Sequence, residues 1–373
     1  MIKRIVNIKK QLKKGKVLII YGARQVGKTT LVKNFLSTTK LKYKIVSGDN
    51  LQLGLELSQC SLQSTQDFVA DYQLLVIDEA QRIENIGLAL KLMVDNYPDR
   101  YFIATGSSSF DLASKTSEPL TGRKNVVKLY SLSQKELLAQ QDKFDTKTNL
   151  ENYLIYGTYP EVITTKHKNN KQKTIQQITN SYLLKDLLEF EGVKNAKVIL
   201  KILKLLAFQI GSQVSTVEIG QKVGLNYRTV MKYLNLLEKV FVIFPLSGFS
   251  RNLRNEITKM SKYYFYDLGI RNALISNFNK IDNRNDLGQL WENFVIIERI
   301  KKNSYTNFFT NYYFWRTHQQ QEIDLIEENS GKLFAYEIKW QAQKSQAPQL
   351  WSTTYTNSVF KEINSDNYLN FIT

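Results

Sequence analysis

The chain has 373 residues, 43% of them apolar, and its 51 Lys and Arg against 34 Asp and Glu leave a formal charge of +17. That length admits two or three globular domains, and the single cysteine, Cys60, excludes a disulfide framework and fits a reducing, cytoplasmic setting. The charge points to a polyanionic partner, nucleic acid ahead of an anionic membrane, although a lysine-rich proteome would produce the same excess.

The charge is unevenly spread. Residues 1–44 contain no Asp or Glu, whereas residues 45–80 contain six acids and no Lys or Arg. Residues 1–15 read as a short basic helix. No apolar h-region opens the chain, and the longest apolar runs, at 17–21 and 241–244, are strand-sized, so no membrane association is expected.

Residues 16–21 read as a buried strand, and 30–36 as the start of a helix. Between them stands Gly22, Ala23, Arg24, Gln25, Val26, Gly27, Lys28 and Thr29, followed by Thr30. These residues match the phosphate-loop pattern G-x-x-x-x-G-K-[ST] at each fixed position. The glycines let backbone N–H groups turn toward a triphosphate, Lys28 supplies a cation, and Thr29 offers a hydroxyl to Mg²⁺. ATP and Mg²⁺ are the cofactors this predicts.

A second strand is expected at 43–47. A third, at 74–77, ends in Asp78 and Glu79. Asp78 suits the Mg²⁺ hydration shell, and Glu79 suits activation of a water for attack on the γ-phosphate. A helix is expected over 83–97 and strands over 101–105 and 126–129. Thr105, with Gly106, Ser107 and Ser108 behind it, is a candidate γ-phosphate sensor at a strand end. Strands alternating with helices predict a parallel sheet covered on both faces, with ligands beyond the C-terminal strand ends.

Residues 140–149 read as a polar loop and 166–173 as a basic linker. Helices are expected at 175–190 and 197–210; no internal repeat is visible. Residues 216–223, a turn at 224–226, a helix at 227–239 and a strand at 240–244 have the pattern of a winged helix-turn-helix. As a DNA reader it would present Asn226, Tyr227, Arg228 and Lys232 to the major groove, with Arg251 and Arg254 on phosphates. A protein-docking module reads equally well.

The last hundred residues combine a helix at 287–301 with strands at 312–316, 322–326 and 333–340. Asp324 and Glu337 fall on neighbouring strands, Lys339 shares a face with Glu337, and Glu292 stands near the helix start. Two acids and a lysine so placed suit metal-assisted phosphodiester chemistry. Each also reads as a solvated strand position.

The ordered set Tyr21–Thr30, Val76–Arg82, Ala104–Ser108, Leu120–Arg123, Tyr156–Glu161, Thr229–Leu234, Lys262–Gly269, Glu292–Val295, Tyr313–Arg316, Glu322–Asp324 and Glu337–Lys339 resembles prokaryotic AAA-type ATPases. Their C-terminal domain, of unknown function, is similar to PD-(D/E)xK restriction-endonuclease folds. The resemblance implies an α/β protein: a P-loop sheet domain (1–165), a helical winged-helix middle (166–265) and a small α/β nuclease-like end (266–373). It also implies ATP hydrolysis through Lys28, Thr29, Asp78 and Glu79, with Arg123 as a candidate arginine finger in cis or in trans. Thr158 and Gln321 depart from the pattern where glycine is usual. The function expected is ATP hydrolysis coupled to DNA association, with a homo-oligomer as a further partner. The alternatives are an ATP-dependent nuclease and a nucleotide switch that binds only protein.

Overall fold

In a computed structural model, residues 2–107, 120–188, 196–250, 260–317 and 319–373 are described, without the side chains of 182–188 and 196. Ser108, Arg251, Arg254 and the expected helix end at Phe190 lie outside them. The chain divides into two compact units, Met1–Tyr130 with Lys239–Phe241, and Ser131–Glu238 with Val242–Thr373. The cuts expected after residues 165 and 265 both fall inside the second unit.

The first unit is built on a parallel sheet. Its strands are β1 (Val17–Tyr21), β2 (Tyr43–Ser47), β3 (Leu74–Asp78), β4 (Tyr101–Gly106) and β5 (Lys124–Lys128), in the spatial order β2-β3-β4-β1-β5. The central strands are near-continuous apolar runs buried on both faces, as a covered parallel sheet requires. The edge strands β2 and β5 alternate and leave Tyr43, Ile45 and Val126 exposed. Helix Lys28–Leu36 follows β1 and Ile86–Asn96 precedes β4.

Several local expectations change. The basic N-terminus forms only one turn of helix, Ile8–Gln11, capped by Asn7; the backbone is already extended at Leu12, and Gly15 at φ +65° leads into β1. Helices Leu51–Ser58 and Leu62–Val69 were not anticipated; the side chains of Asn50 and Ser61 cap them.

In the second unit, the expected loop at 140–149 contains helix Lys143–Thr148, capped by Asp142 and anchored by buried Thr146. The expected linker at 166–173 belongs largely to helix Lys168–Leu188, whose polar start is its exposed face while Ile175 and Ile178 are buried. Helices Ala196–Phe208, Thr216–Val223 and Tyr227–Lys239 follow, with a left-handed turn at Gly224. An added Cβ on Gly220 would lie 2.5 Å from the Leu225 carbonyl oxygen, so glycine lets the turn close on the helix.

The strand expected at 240–244 begins later, as β7 (Ile243–Gly248). It pairs antiparallel with β8 (Ser261–Phe265), which in turn pairs with β6 (Gln213–Val214). Its other edge pairs in parallel with β9 (Asn311–Arg316). Strands β10 (Glu322–Asn329), β11 (Lys332–Ile338) and β12 (Val359–Ile363) complete a seven-stranded sheet. Shared pairing through β7 therefore joins the middle and C-terminal segments. Trp315, Ile323, Ile326, Ala335 and Trp351 pack into one core over this sheet.

Two sequence motifs interlock here. Gly157 has φ +76°, and the buried Asp267 carboxylate accepts from the Thr158 and Gly269 N–H groups at 2.9 Å each. Where glycine is usual, Thr158 adds a hydroxyl that donates to Ser131 Oγ at 3.1 Å. A Cβ on residue 157 would fall 1.8 Å from Asp267 Oδ1. Gly157→Ala is therefore expected to destabilise the second unit by about 2–4 kcal/mol, read as a lower urea midpoint. An unchanged midpoint would show that this junction is not under steric constraint.

Candidate nucleotide site and acid cluster

The phosphate loop follows β1, and its first glycine is dictated by packing. A Cβ on Gly22 would lie 1.9 Å from the Leu129 carbonyl oxygen, so a side chain there would drive the loop off β5. Gln25 and Gly27 take left-handed backbone conformations. Gly27 opens helix Lys28–Leu36 without a side-chain cap hydrogen bond, which leaves its first N–H groups suited to phosphate oxygens. The buried Lys28 ammonium donates to the Gly22 and Ala23 carbonyls at 2.8 Å each. From outside, the Arg4 guanidinium donates to the carbonyls of Val26 at 2.7 Å and Tyr130 at 2.8 Å. Sequence reasoning missed Arg4, since it lies 22 residues before the loop residue it holds.

The sheet order brings the other groups to this loop. Strand β4 separates β1 from β3 and aligns Ile20 with Thr105 and Ile77 with Ala104. Thr29 Oγ1 donates to Asp78 Oδ2 at 2.8 Å, and the Thr105 hydroxyl donates to Asp78 Oδ1. Thr105 Oγ1 also accepts from the Glu79 N–H at 3.3 Å. Glu79 is left-handed at φ +50°, and its Oε2 accepts from Gln81 Nε2 at 2.6 Å; Gln81 also donates to Ser107 Oγ at 3.0 Å. Sequence reasoning assigned no role to Gln81 and placed Ser107 only behind the candidate sensor Thr105. The loop N–H groups with Lys28 would hold a triphosphate, and Thr29 and Asp78 Mg²⁺ with its waters. The hydroxyl, carboxylates and buried cation already gathered here fit both.

Arg123 lies elsewhere. It precedes β5, and the Arg123 carbonyl accepts from Val17 N–H at the start of β1. Five strand residues, about 17 Å, separate it from the loop. Its Nε donates to Asp95 Oδ1 at 2.5 Å. Its own nucleotide site is out of reach in this arrangement.

In the second unit, helix Tyr227–Lys239 buries Val230, Tyr233, Leu234 and Leu237 and exposes Tyr227, Arg228, Met231 and Lys232. Arg228 Nε donates to Tyr227 Oη at 3.2 Å. Asn226 Oδ1 accepts from Thr229 N–H at 2.9 Å, so it caps the helix.

The expected C-terminal residues do assemble, with additions. Glu337 and Lys339 pair at 2.6 Å, and Asp324 Oδ2 accepts from the Ile338 N–H at 2.8 Å. Burial, with Glu292 and Glu337 nearby, holds the Asp324 carboxyl well above the usual carboxylate range. Sequence reasoning missed Lys262 and Glu322. Lys262 Nζ lies 3.1 Å from Glu292 Oε1 and 2.5 Å from Glu322 Oε1. Among the described residues no three His, Cys, Asp or Glu side chains converge on one metal position. No helix among them is long and apolar enough to cross a membrane.

Comparison with known proteins agrees with the first unit. Residues 14–138 match the family model described as AAA domain. Residues 147–281 and 287–360 match two models described as domains of unknown function, DUF8612 and DUF4143. The N-terminal segment is thus similar to AAA-type P-loop domains.

Relatives cover most of the chain. An uncharacterized protein of Mycobacterium tuberculosis is 26% identical over 337 residues, 89% of this chain and 72% of the relative. One of Haemophilus influenzae is 24% identical over 310 residues, 77% of this chain and 74% of the relative. A crystal structure of a DNA replication initiation factor aligns with 60% of this chain and 83% of its own at 14% identity. Its TM-score of 0.24 is too low to support a shared fold.

Thr105→Val keeps the shape of the side chain but leaves Asp78 Oδ1 and the Glu79 N–H without this partner. It is expected to cost about 1–3 kcal/mol of stability, measured by urea unfolding, and to slow any nucleotide turnover. Wild-type stability in that variant would remove Thr105 from the support of the acidic pair.

Proposed function

We propose that this protein hydrolyses ATP and that its nucleotide state governs association with DNA. The observation that carries the reading is the cluster at the C-terminal edge of the first sheet: Lys28 and Thr29 on one strand's loop, Asp78 and Glu79 on another, and Thr105 between them. Lys28 neutralises phosphate charge, and the loop N–H groups orient it. Thr29 and Asp78 would hold Mg²⁺, which would supply positive charge against the phosphates. Glu79 accepts the proton of the attacking water, and Gln81 and the Thr105 hydroxyl fix its position. Arg123, remote from its own loop, serves as a finger only across an interface between two copies of the chain.

Two substitutions separate binding from chemistry. Lys28→Ala is expected to abolish tight ATP binding. Glu79→Gln is expected to keep affinity within a few fold and to lower turnover by about 10²-fold or more, since the amide cannot take the proton. Binding by fluorescent nucleotide titration and phosphate release by a coupled assay read the two effects. Wild-type hydrolysis in Glu79→Gln would remove its role as base.

The DNA half of the proposal is supported by the +17 charge and by the exposed Tyr227, Arg228 and Lys232 on a helix that follows a tight turn. The exposed apolar Tyr227 and Met231 on the same helix favour a second reading, docking of a protein partner. The two part on salt. Arg228→Ala with Lys232→Ala is expected to weaken duplex binding and to reduce the slope of log affinity against log salt by about 2, roughly one unit per lost phosphate contact. An unchanged slope and affinity in fluorescence anisotropy would favour the protein-docking role.

A further inference from the structure

The acid cluster of the second unit is where divalent-metal chemistry was expected, and it contains a cation of its own. Lys262 is only 2% exposed, on strand β8. Its ammonium lies between Glu292 of helix Leu287–Tyr305 and Glu322 of β10, at 3.1 and 2.5 Å, and 5.4 Å from the centre of the Phe314 ring. Tyr264, two residues along the same face of β8, donates its hydroxyl to Glu292 Oε1 as well.

Three further carboxylate oxygens of the cluster are engaged. Asp324 Oδ2 accepts from the Ile338 N–H, Glu337 Oε1 pairs with Lys339, and Glu322 Oε2 lies 3.7 Å from Arg316 Nε. The carboxylates of Glu292, Glu322 and Glu337 are matched by the cations Lys262, Lys339 and Arg316.

A divalent ion brought here would have to displace or face a buried ammonium, and two positive charges that close repel strongly in a low-dielectric site. The residues therefore do not fit a resident metal. We propose that Lys262 takes the place of a divalent cation in this cluster. In this reading the second unit binds no Mg²⁺ or Mn²⁺ there, and the cluster is a self-neutralised ion network that ties β8 to the C-terminal helix and strands. The Asn293 side chain strengthens the same tie, since it accepts from the Phe265 N–H at 2.7 Å and donates to the Phe265 carbonyl at 2.9 Å.

The test is a Mn²⁺ titration of the nucleotide-free full chain followed by electron paramagnetic resonance. It compares wild type, Asp324→Asn, Lys262→Met and the double variant, and does not depend on ATP hydrolysis. Wild type and Asp324→Asn are expected to give the same titration up to millimolar Mn²⁺. Lys262→Met, with the acids kept and the ammonium removed, is expected to gain one site per chain that the added Asp324→Asn abolishes. A wild-type site lost in Asp324→Asn overturns the proposal, as does a folded Lys262→Met with no added site. Should circular dichroism show Lys262→Met unfolded, the wild-type and Asp324→Asn pair decides alone.

Discussion

The order of strands in the first sheet is the constraint on which the candidate nucleotide site depends. Because β4 lies between β1 and β3, the Thr105 hydroxyl reaches both members of the acidic pair, donating to Asp78 and accepting from the Glu79 backbone. Were β1 and β3 direct neighbours, this bridge would have no strand to carry it. The loop is fixed with equal economy of space: Gly22 passes so close to the Leu129 carbonyl that only a residue without a side chain fits. The packing of β1 against β5 and the shape of the phosphate cradle are thus one requirement.

The second unit is held by polar groups buried at the joins between segments. Asp267 gathers the N–H groups of Thr158 and Gly269, Asn293 pairs with the backbone of Phe265, and Lys262 links Glu292 to Glu322. Burying such groups is favourable only when nearly every donor and acceptor is matched, and losing one partner of a buried ion pair costs about 3–5 kcal/mol. They therefore specify which segments meet, while the Trp315, Trp351 and Ile326 core supplies the nonspecific drive.

This arrangement gives a reason for the order of motifs along the second unit. The stretches Lys262–Gly269 and Glu292–Val295 face one another through the Lys262–Glu292 and Phe265–Asn293 pairs. The stretch around Tyr156 and Gly157 meets the same segment at Asp267 and Gly269. Residues that read singly as candidate catalytic groups are, in the structure, also the fastenings of a continuous sheet.

The sequence by itself determined the strand-loop-helix at 17–36, the buried strand ending at Asp78, and the helix-turn-helix pattern from 216 to 239. In each case the signal is local: an apolar run, a glycine at a turn, or a helical period within one segment. Helix Leu51–Ser58 escaped because its leucines alternate with period two around Gly54, and Lys143–Thr148 because it is short and polar; the side chains of Asn50 and Asp142 cap them. Tertiary structure alone decided the rest. It placed Arg4 on the phosphate loop, Arg123 at the far end of the sheet, and Lys262 between two acids. It also merged β7 with β9, so that the middle and C-terminal segments share a sheet. Those contacts join residues 22 or more positions apart, and no local pattern encodes a partner that only folding brings within reach.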